Sequence, residues 1–174
     1  MPDSTLSQAI KEAYASAPAN VVIYHTLELN HPSFTQPIRV VRDFNDLHAR
    51  LENTAPQNPG ALVDFVAFNF DFTKPEVSSV GVPQITITMD NVDRSITASI
   101  ESALATTDMV TVIYREFIST NLNVPQNNPP LSMTILNVVA DVFKVTATAG
   151  FPNLMNFRFP TAEYSTDVFT GLAA

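Results

Sequence analysis

Between Gly81 and Leu104 the spacing of apolar side chains changes once, and the change divides the stretch into two elements. Gly81 and Pro83 open it as turn residues. Ile85, Ile87 and Met89 alternate with Thr86, Thr88 and Asp90, the period-two pattern of a strand with one buried face. Val92, Ile96, Ile100 and Ala103 or Leu104 then recur at helical spacing, with Asp90 or Asn91 placed to cap the helix. The stretch predicts a Gln84–Asp90 strand running into one amphipathic helix.

The same reading extends along the chain. Leu6, Ile10, Ala13, Tyr14 and Ala17 share a helical face, Thr5 and Gln8 can form a capping box, and Pro18 lies just past the end. Val21 to Leu29 alternates as a strand with Val21, Ile23, His25, Leu27 and Leu29 on one face, and Ile38 to Val41 completes a hairpin. Phe44 to Glu52 fits either a helix or a strand, with the balance slightly towards strand. Leu62 to Phe72 predicts one long strand, with Val66, Phe68, Phe70 and Phe72 on one side and Val63, Phe65 and Ala67 on the other. Met109–Ile118, Leu131–Asn137 and Val142–Ala149 are further strands, with a turn at Asn137–Asp141 between the last two.

Two segments exceed a minimal domain. Ser119–Pro130 is a polar, glycine-free connection, long for a compact domain. In it Pro129 and Pro130 stiffen the return to the next strand. The tail from Gly150 to Ala174 carries Phe151, Phe157, Phe159, Tyr164 and Phe169 without a steady period, so it packs on its own domain or on a neighbouring subunit. The expected organisation is a β-rich domain over residues 1–149 and a C-terminal arm over 150–174.

Composition narrows the function classes. Charged residues are 15% of the chain, below the usual level of about 25%, which leaves neutral surface for subunit association. A net charge of −8 repels phosphate backbones, so specific nucleic-acid binding is not expected. The absence of cysteine excludes disulfides, thiolate metal sites and iron–sulfur clusters. No apolar run reaches the length of a membrane span, and the MPDSTLSQ start lacks the features of a secretory signal.

Catalytic motifs are equally scarce. His25, His31 and His48 lack the spacing of metal ligands, and His25 falls where a strand residue would pack. No GxSxG elbow occurs, and the four glycines are too scattered for a phosphate loop. Asp64, Asp71, Glu76, Asp90, Asp93 and Glu101 could converge as a glycosidase-like pair, but caps, turns and a polar helix face account for them more simply. The reading is of a protein that is not an enzyme and needs no cofactor and no metal.

With these stretches in view, the whole pattern resembles one family. FVAFNFDFTKPEVSSVGVPQITITMDNVDRSI, the following VTVIYREFISTNLNVPQNNPPLSMTILN, and the later FPTAEYS resemble the DUF1833 family of tailed-phage tail proteins. The opening LSQAIKEAYASAPANVVIYHTLELNHPSF is similar to that family's start. More loosely, the order of elements is similar to the hub portion of lambda-like minor tail protein L, although the cysteine-bound cluster of that protein has no counterpart here. The resemblance implies a mainly β (α+β) fold: an antiparallel β-sandwich or split-barrel hub domain, with an N-terminal helix and one helix after Gln84–Asp90. It further implies a structural component of a siphovirus-like tail tip or baseplate hub, forming a ring between tail tube and receptor-binding spike. Its partners would be other phage tail proteins and further copies of itself, as a trimer rather than a hexamer. Its location would be the virion, after synthesis in the host cytoplasm. A tail assembly or completion factor, absent from the finished particle, is the alternative. Within this reading Gly81, Pro83, Asp90, Asn91, Pro129, Pro130, Phe151, Phe157, Phe159 and Tyr164 are the candidate structural and interface residues.

Overall fold

The computed structural model describes residues 5–73, 84–90, 102–103, 106, 108–141 and 144–151. Among the described residues, the helix α1 (Gln8–Ser16) precedes nine strands. The first five are β1 (Ile23–Asn30), β2 (Ile38–Val41), β3 (Leu47–Arg50), β4 (Leu62–Ala67) and β5 (Phe70–Phe72). They are followed by β6 (Gln84–Asp90), β7 (Thr111–Ile118), β8 (Leu131–Ala140) and β9 (Lys144–Gly150). The strands form one sheet in the order β3-β4-β2-β1-β7-β8-β9-β6-β5. All pairs are antiparallel except β2 with β4, and the sheet does not close. The mainly β class with an N-terminal helix is therefore correct. Ser102 and Ala103 are helical, and Ala103 is buried in the core. The rest of the helix expected after Asp90 lies outside the described residues.

The break between β4 and β5 explains how this sheet bends. Val40 and Val41 of β2 pair with Val66 and Ala67, whereas Phe70 to Phe72 pair with Met89 to Ile87 of β6. One short stretch of chain thus meets both halves of the sheet, and only Phe68 and Asn69 separate its two parts. The expected strand from Leu62 to Phe72 is interrupted there because Phe68 N bonds Val41 O while Asn69 O turns to Asp90 N. Its alternation survives the break. Phe65 packs into one core, while Phe68, Phe70 and Phe72 pack into the other.

The central pair β1–β7 has a core on each face. Leu27, Leu29, Val112 and Tyr114 join Val40, Ile85, Ile87, Met89, Met133 and Val145 in the larger one. Phe72 from the far edge strand stacks on Tyr114, with ring centroids 4.3 Å apart, so the sheet curls over its own middle. On the opposite face the β3–β4 hairpin folds back: Leu47, Ala49, Leu51 and Phe65 pack with Val41 and Phe117. Every residue from Val112 to Ile118 is consequently buried. Burying a large apolar side chain contributes roughly 1.5–3 kcal/mol, so this strand anchors the domain.

Two local expectations need correction, at the first helix cap and at the β8 end, and the slight lean to strand in Phe44–Glu52 holds. The helix cap is Ser7, whose Oγ accepts from Ile10 N, and not a Thr5–Gln8 box; Gln8 instead donates to Glu12. The shift follows from Leu6, which bridges to Asn127 and so stays extended. The β8 strand continues through Asn137 to Ala140, since a bulge at Leu136 absorbs the register change and lets pairing with β9 resume. The ambiguous Phe44–Glu52 segment holds strand β3, with Leu47 and Ala49 inward, while Phe44 is fully exposed at 100% on the turn before it.

Candidate functional site

Charged and hydrogen-bonding side chains inside the β1–β7 pair form two clusters, one on each face. Antiparallel register dictates the division. His25 lies opposite Glu116, and Leu27 opposite Tyr114, on the larger-core face. Glu28 and Arg115, one residue out of phase, point to the other face.

On that second face Arg115 is the hub and is fully buried. Its Nε and Nη2 donate to the two carboxylate oxygens of Glu52, each at 2.8 Å, in the planar bidentate geometry that a guanidinium favours. Its Nη1 donates to Glu28 Oε2 at 3.3 Å, and Arg39 Nε donates to the same oxygen at 2.8 Å. Asn30 Nδ2 donates to the other Glu28 oxygen, and Arg39 Nη2 reaches Asn58. Two arginines facing two glutamates balance the charge where water is excluded. The network ties β1, β2, β7 and the segment after β3 together.

On the larger-core face Tyr114 Oη donates to Glu116 Oε1, and Tyr14 Oη of α1 donates to the same oxygen at 3.3 Å. With the Tyr114 hydrogen committed to Glu116, the 2.7 Å contact with His25 requires Nδ1–H of the imidazole to donate. Burial pushes the Tyr114 phenol well above its usual range, and the neighbouring Glu116 charge and hydrogen bond add to the effect. Tyr14 is raised for the same reasons, burial foremost. Both phenols stay protonated donors at neutral pH. They hold a carboxylate in place and cannot act as bases or nucleophiles.

The Ser119–Pro130 loop completes this face. Only Thr111 to Tyr114 of β7 pair with β8, which would leave the next backbone groups without partners. Gln126 N donates to Glu116 O at 2.7 Å, Glu116 N donates to Asn127 Oδ1 at 3.0 Å, and Asn127 Nδ2 donates to Tyr114 O. The same loop holds α1: Ser7 N and Oγ both donate to Gln126, and Asn128 N donates to Thr5 O. Gln126 and Asn127 are buried by these duties. Leu122 O also accepts from Arg50 N on the outer edge of β3. The Asn128–Pro129 peptide is cis, and Pro130 is half-buried.

The remaining candidates are dispersed. Asp90 ties β6 to the β4–β5 junction through Asn69 Nδ2, at 2.7 Å. Phe151 packs on the larger core. Gly81, Pro83, Asn91, Phe157, Phe159 and Tyr164 lie outside the described residues, as do Glu76, Asp93 and Glu101. Asp64 pairs with His48 on the surface, and Asp71 with Arg42. His31 is held by its neighbours: Ser33 N and Oγ lie within hydrogen-bonding distance of Nδ1, and Asp108 O and Thr106 Oγ1 of Nε2. Among the described residues no three of the His, Asp and Glu side chains converge as metal ligands, and no helix is long and apolar enough to cross a membrane.

The surface is richer in apolar side chains than in chemistry. Phe44, Leu62 at 62%, Val66 at 56%, Met109, Leu136 and Val139 are each more than half exposed. A groove of about 320 Å³ lies beside Met109, between Ala103, Val110, Ile135, Leu136 and Val138.

No curated protein is similar enough to this chain to count as a match. The family model of DUF1833, described as a domain of unknown function, matches residues 9–164. That match runs from α1 past the end of β9, so the chain belongs to the DUF1833 family.

Proposed function

We propose that this chain is a structural component of a bacteriophage tail tip or baseplate hub, a ring subunit between tail tube and receptor-binding spike. The single observation carrying this reading is the contrast between interior and surface. Inside, the buried charges and amides of the β1–β7 pair are engaged in bracing the fold. Outside, large apolar side chains are exposed in separate places: Phe44 on the turn before β3, Val66 on β4, and Met109 and Leu136 on one groove. A body stiffened within and apolar in separate places suits a subunit that meets a neighbour on each side. The phage setting comes from the resemblance of the chain to tail proteins in order and extent. In this reading the protein performs no catalysis; it provides shape and contacts, to further copies of itself and to other tail proteins.

Cryo-electron microscopy of purified particles tests the proposal. A threefold ring of this chain below the tail tube is the expected result, and a sixfold ring would make it an adaptor between tube and tip. A particle whose tail lacks the chain overturns the structural reading and leaves a tail assembly or completion factor.

A further inference from the structure

The Ser119–Pro130 loop runs beside the turn after β3, and a pocket of about 390 Å³ opens between them. Both walls are fixed by bonds already made. Arg50 N donates to Leu122 O at 2.9 Å and ties one wall to the other. In the turn, Ala55 N and Gly60 N both donate to Glu52 O. In the loop, Asn123 N donates to Asn121 Oδ1, Gln126 Nε2 donates to Val124 O, and buried Asn127 is held by β7. Four polar side chains line the space, Asn53 and Thr54 from the turn and Asn123 and Asn128 from the loop. All four residues are exposed, and among the described residues none of these side chains has a hydrogen bond to another group of the chain. Gln126 and Asn127 are spent on bracing the fold. These four are not.

We propose that this pocket binds a neutral saccharide. Glu52 lines it too, with its side chain 15% exposed. Arg115 donates once to each Glu52 oxygen, and a carboxylate has about four acceptor positions, so acceptor capacity remains at a fixed point. Arg50 commits Nη1 to Gly60 O and has further N–H groups to offer. The asparagine amides and the Thr54 hydroxyl each carry both donor and acceptor. A matching ligand must donate and accept at several closely spaced points, as the hydroxyls of a sugar do. Charge selects in the same direction. Arg115 already balances Glu52, and Arg50 repels a cation, whereas an anion meets Glu52 and a chain of net charge −8. Val124, 49% exposed on the loop wall, offers an apolar contact to the C–H face of a sugar ring. The volume lies within the roughly 300–1,000 Å³ of small-molecule pockets. No aromatic side chain is among the described lining residues, so stacking is absent and the affinity for a short saccharide should be roughly millimolar.

This inference does not rest on the ring reading, and it is tested on the purified full chain without any particle. The probes are three neutral trisaccharides, maltotriose, chitotriose and raffinose, titrated into the nitrogen-15-labelled protein, with glycerol and triglycine as controls. At least one trisaccharide should shift the side-chain amide signals of Asn53, Asn123 and Asn128 saturably, while glycerol at the same concentrations gives no saturable shift. Thr54→Val and Asn123→Ala each remove one neutral hydrogen-bonding group and should weaken binding by about tenfold. Both residues are exposed, and an otherwise unchanged amide spectrum confirms that the variants fold. Failure of all three trisaccharides, or equal shifts with glycerol, would overturn the proposal and leave a solvated loop. Saturable shifts with triglycine alone would also overturn it, in favour of a peptide groove. So would saccharide binding that both variants leave unchanged.

Discussion

Arg115 and Glu52 face each other through two parallel hydrogen bonds of 2.8 Å, joining the central strand to the segment that follows β3. The guanidinium is fully buried and also serves Glu28. Removing it takes the bidentate partner from partly buried Glu52 and leaves fully buried Glu28 with Arg39 and Asn30 alone. Arg115→Met should therefore cost about 3–5 kcal/mol of stability. Glu52→Gln, which keeps one acceptor and shape, should cost less. Urea denaturation of the two variants, compared by midpoint at constant slope, checks the order.

Asn127 is predicted to be the residue on which the long loop depends. Its amide both accepts from Glu116 N and donates to Tyr114 O, standing in for the strand that β7 lacks there. Asn127→Ala leaves a buried donor and a buried acceptor unmet, at about 1–3 kcal/mol for each group before water or relaxation intervenes. Amide exchange should show the effect locally: the Glu116 N–H loses protection while Leu27 and Leu29, paired on the other side of β7, keep theirs.

Tyr114 gives the protein an alkaline limit. Below about pH 10 the phenol is protonated in both folded and unfolded chains, and the stability it lends is fully present. Above that, the unfolded chain releases the proton while folded Tyr114, buried beside Glu116, retains it. Unfolding then liberates a proton, so stability should fall by ~1.4 kcal/mol per pH unit until the folded phenol itself titrates. Tyr14 shifts in the same direction but is nearly half exposed, so its share is smaller. Melting temperatures from pH 8 to 11 should fall steeply above 10 in the native chain and less steeply in Tyr114→Phe. Equal slopes would remove Tyr114 as the cause.

These polar clusters explain what the sequence concealed. Strand periodicity identified β1, β2, β6 and β7 because each carries one apolar face at a spacing of two. It could not reveal that β7 is covered on both faces, since that depends on the β3–β4 hairpin folding behind it and β5 curling in front. Only then do Arg115 and Glu116, adjacent polar residues in an apolar strand, become buried partners of Glu28, Glu52 and Tyr114. The visible signal was a charged pair inside VTVIYREFI, with Glu28 set between two leucines. Turn and cap residues stand out in the sequence because their local chemistry is legible without tertiary contacts. The loop misled for a similar reason. Gln126 and Asn127 look like solvated amides until an incomplete β7–β8 ladder needs their hydrogen bonds.

Gly60 and Gly150 separate backbone constraint from side-chain crowding. Gly60 has φ +67°, in the left-handed region, and a Cβ there would stand 2.7 Å from Asn53 Oδ1. Its N–H donates to Glu52 O, so the turn that carries the Arg115 partner depends on this conformation. Gly60→Ala should cost about 1–2 kcal/mol from the backbone alone, with more from displacing Asn53. At Gly150 a Cβ would meet Leu136 Cδ1 at 2.9 Å, which is the far end of a flexible, half-exposed side chain able to rotate away. Gly150→Ala should cost less than Gly60→Ala, and the double variant Gly150→Ala with Leu136→Ala should recover any loss due to the clash. Thermal melts of the three variants decide the matter. A larger loss at Gly150 would mean that Leu136 is fixed by the groove it lines.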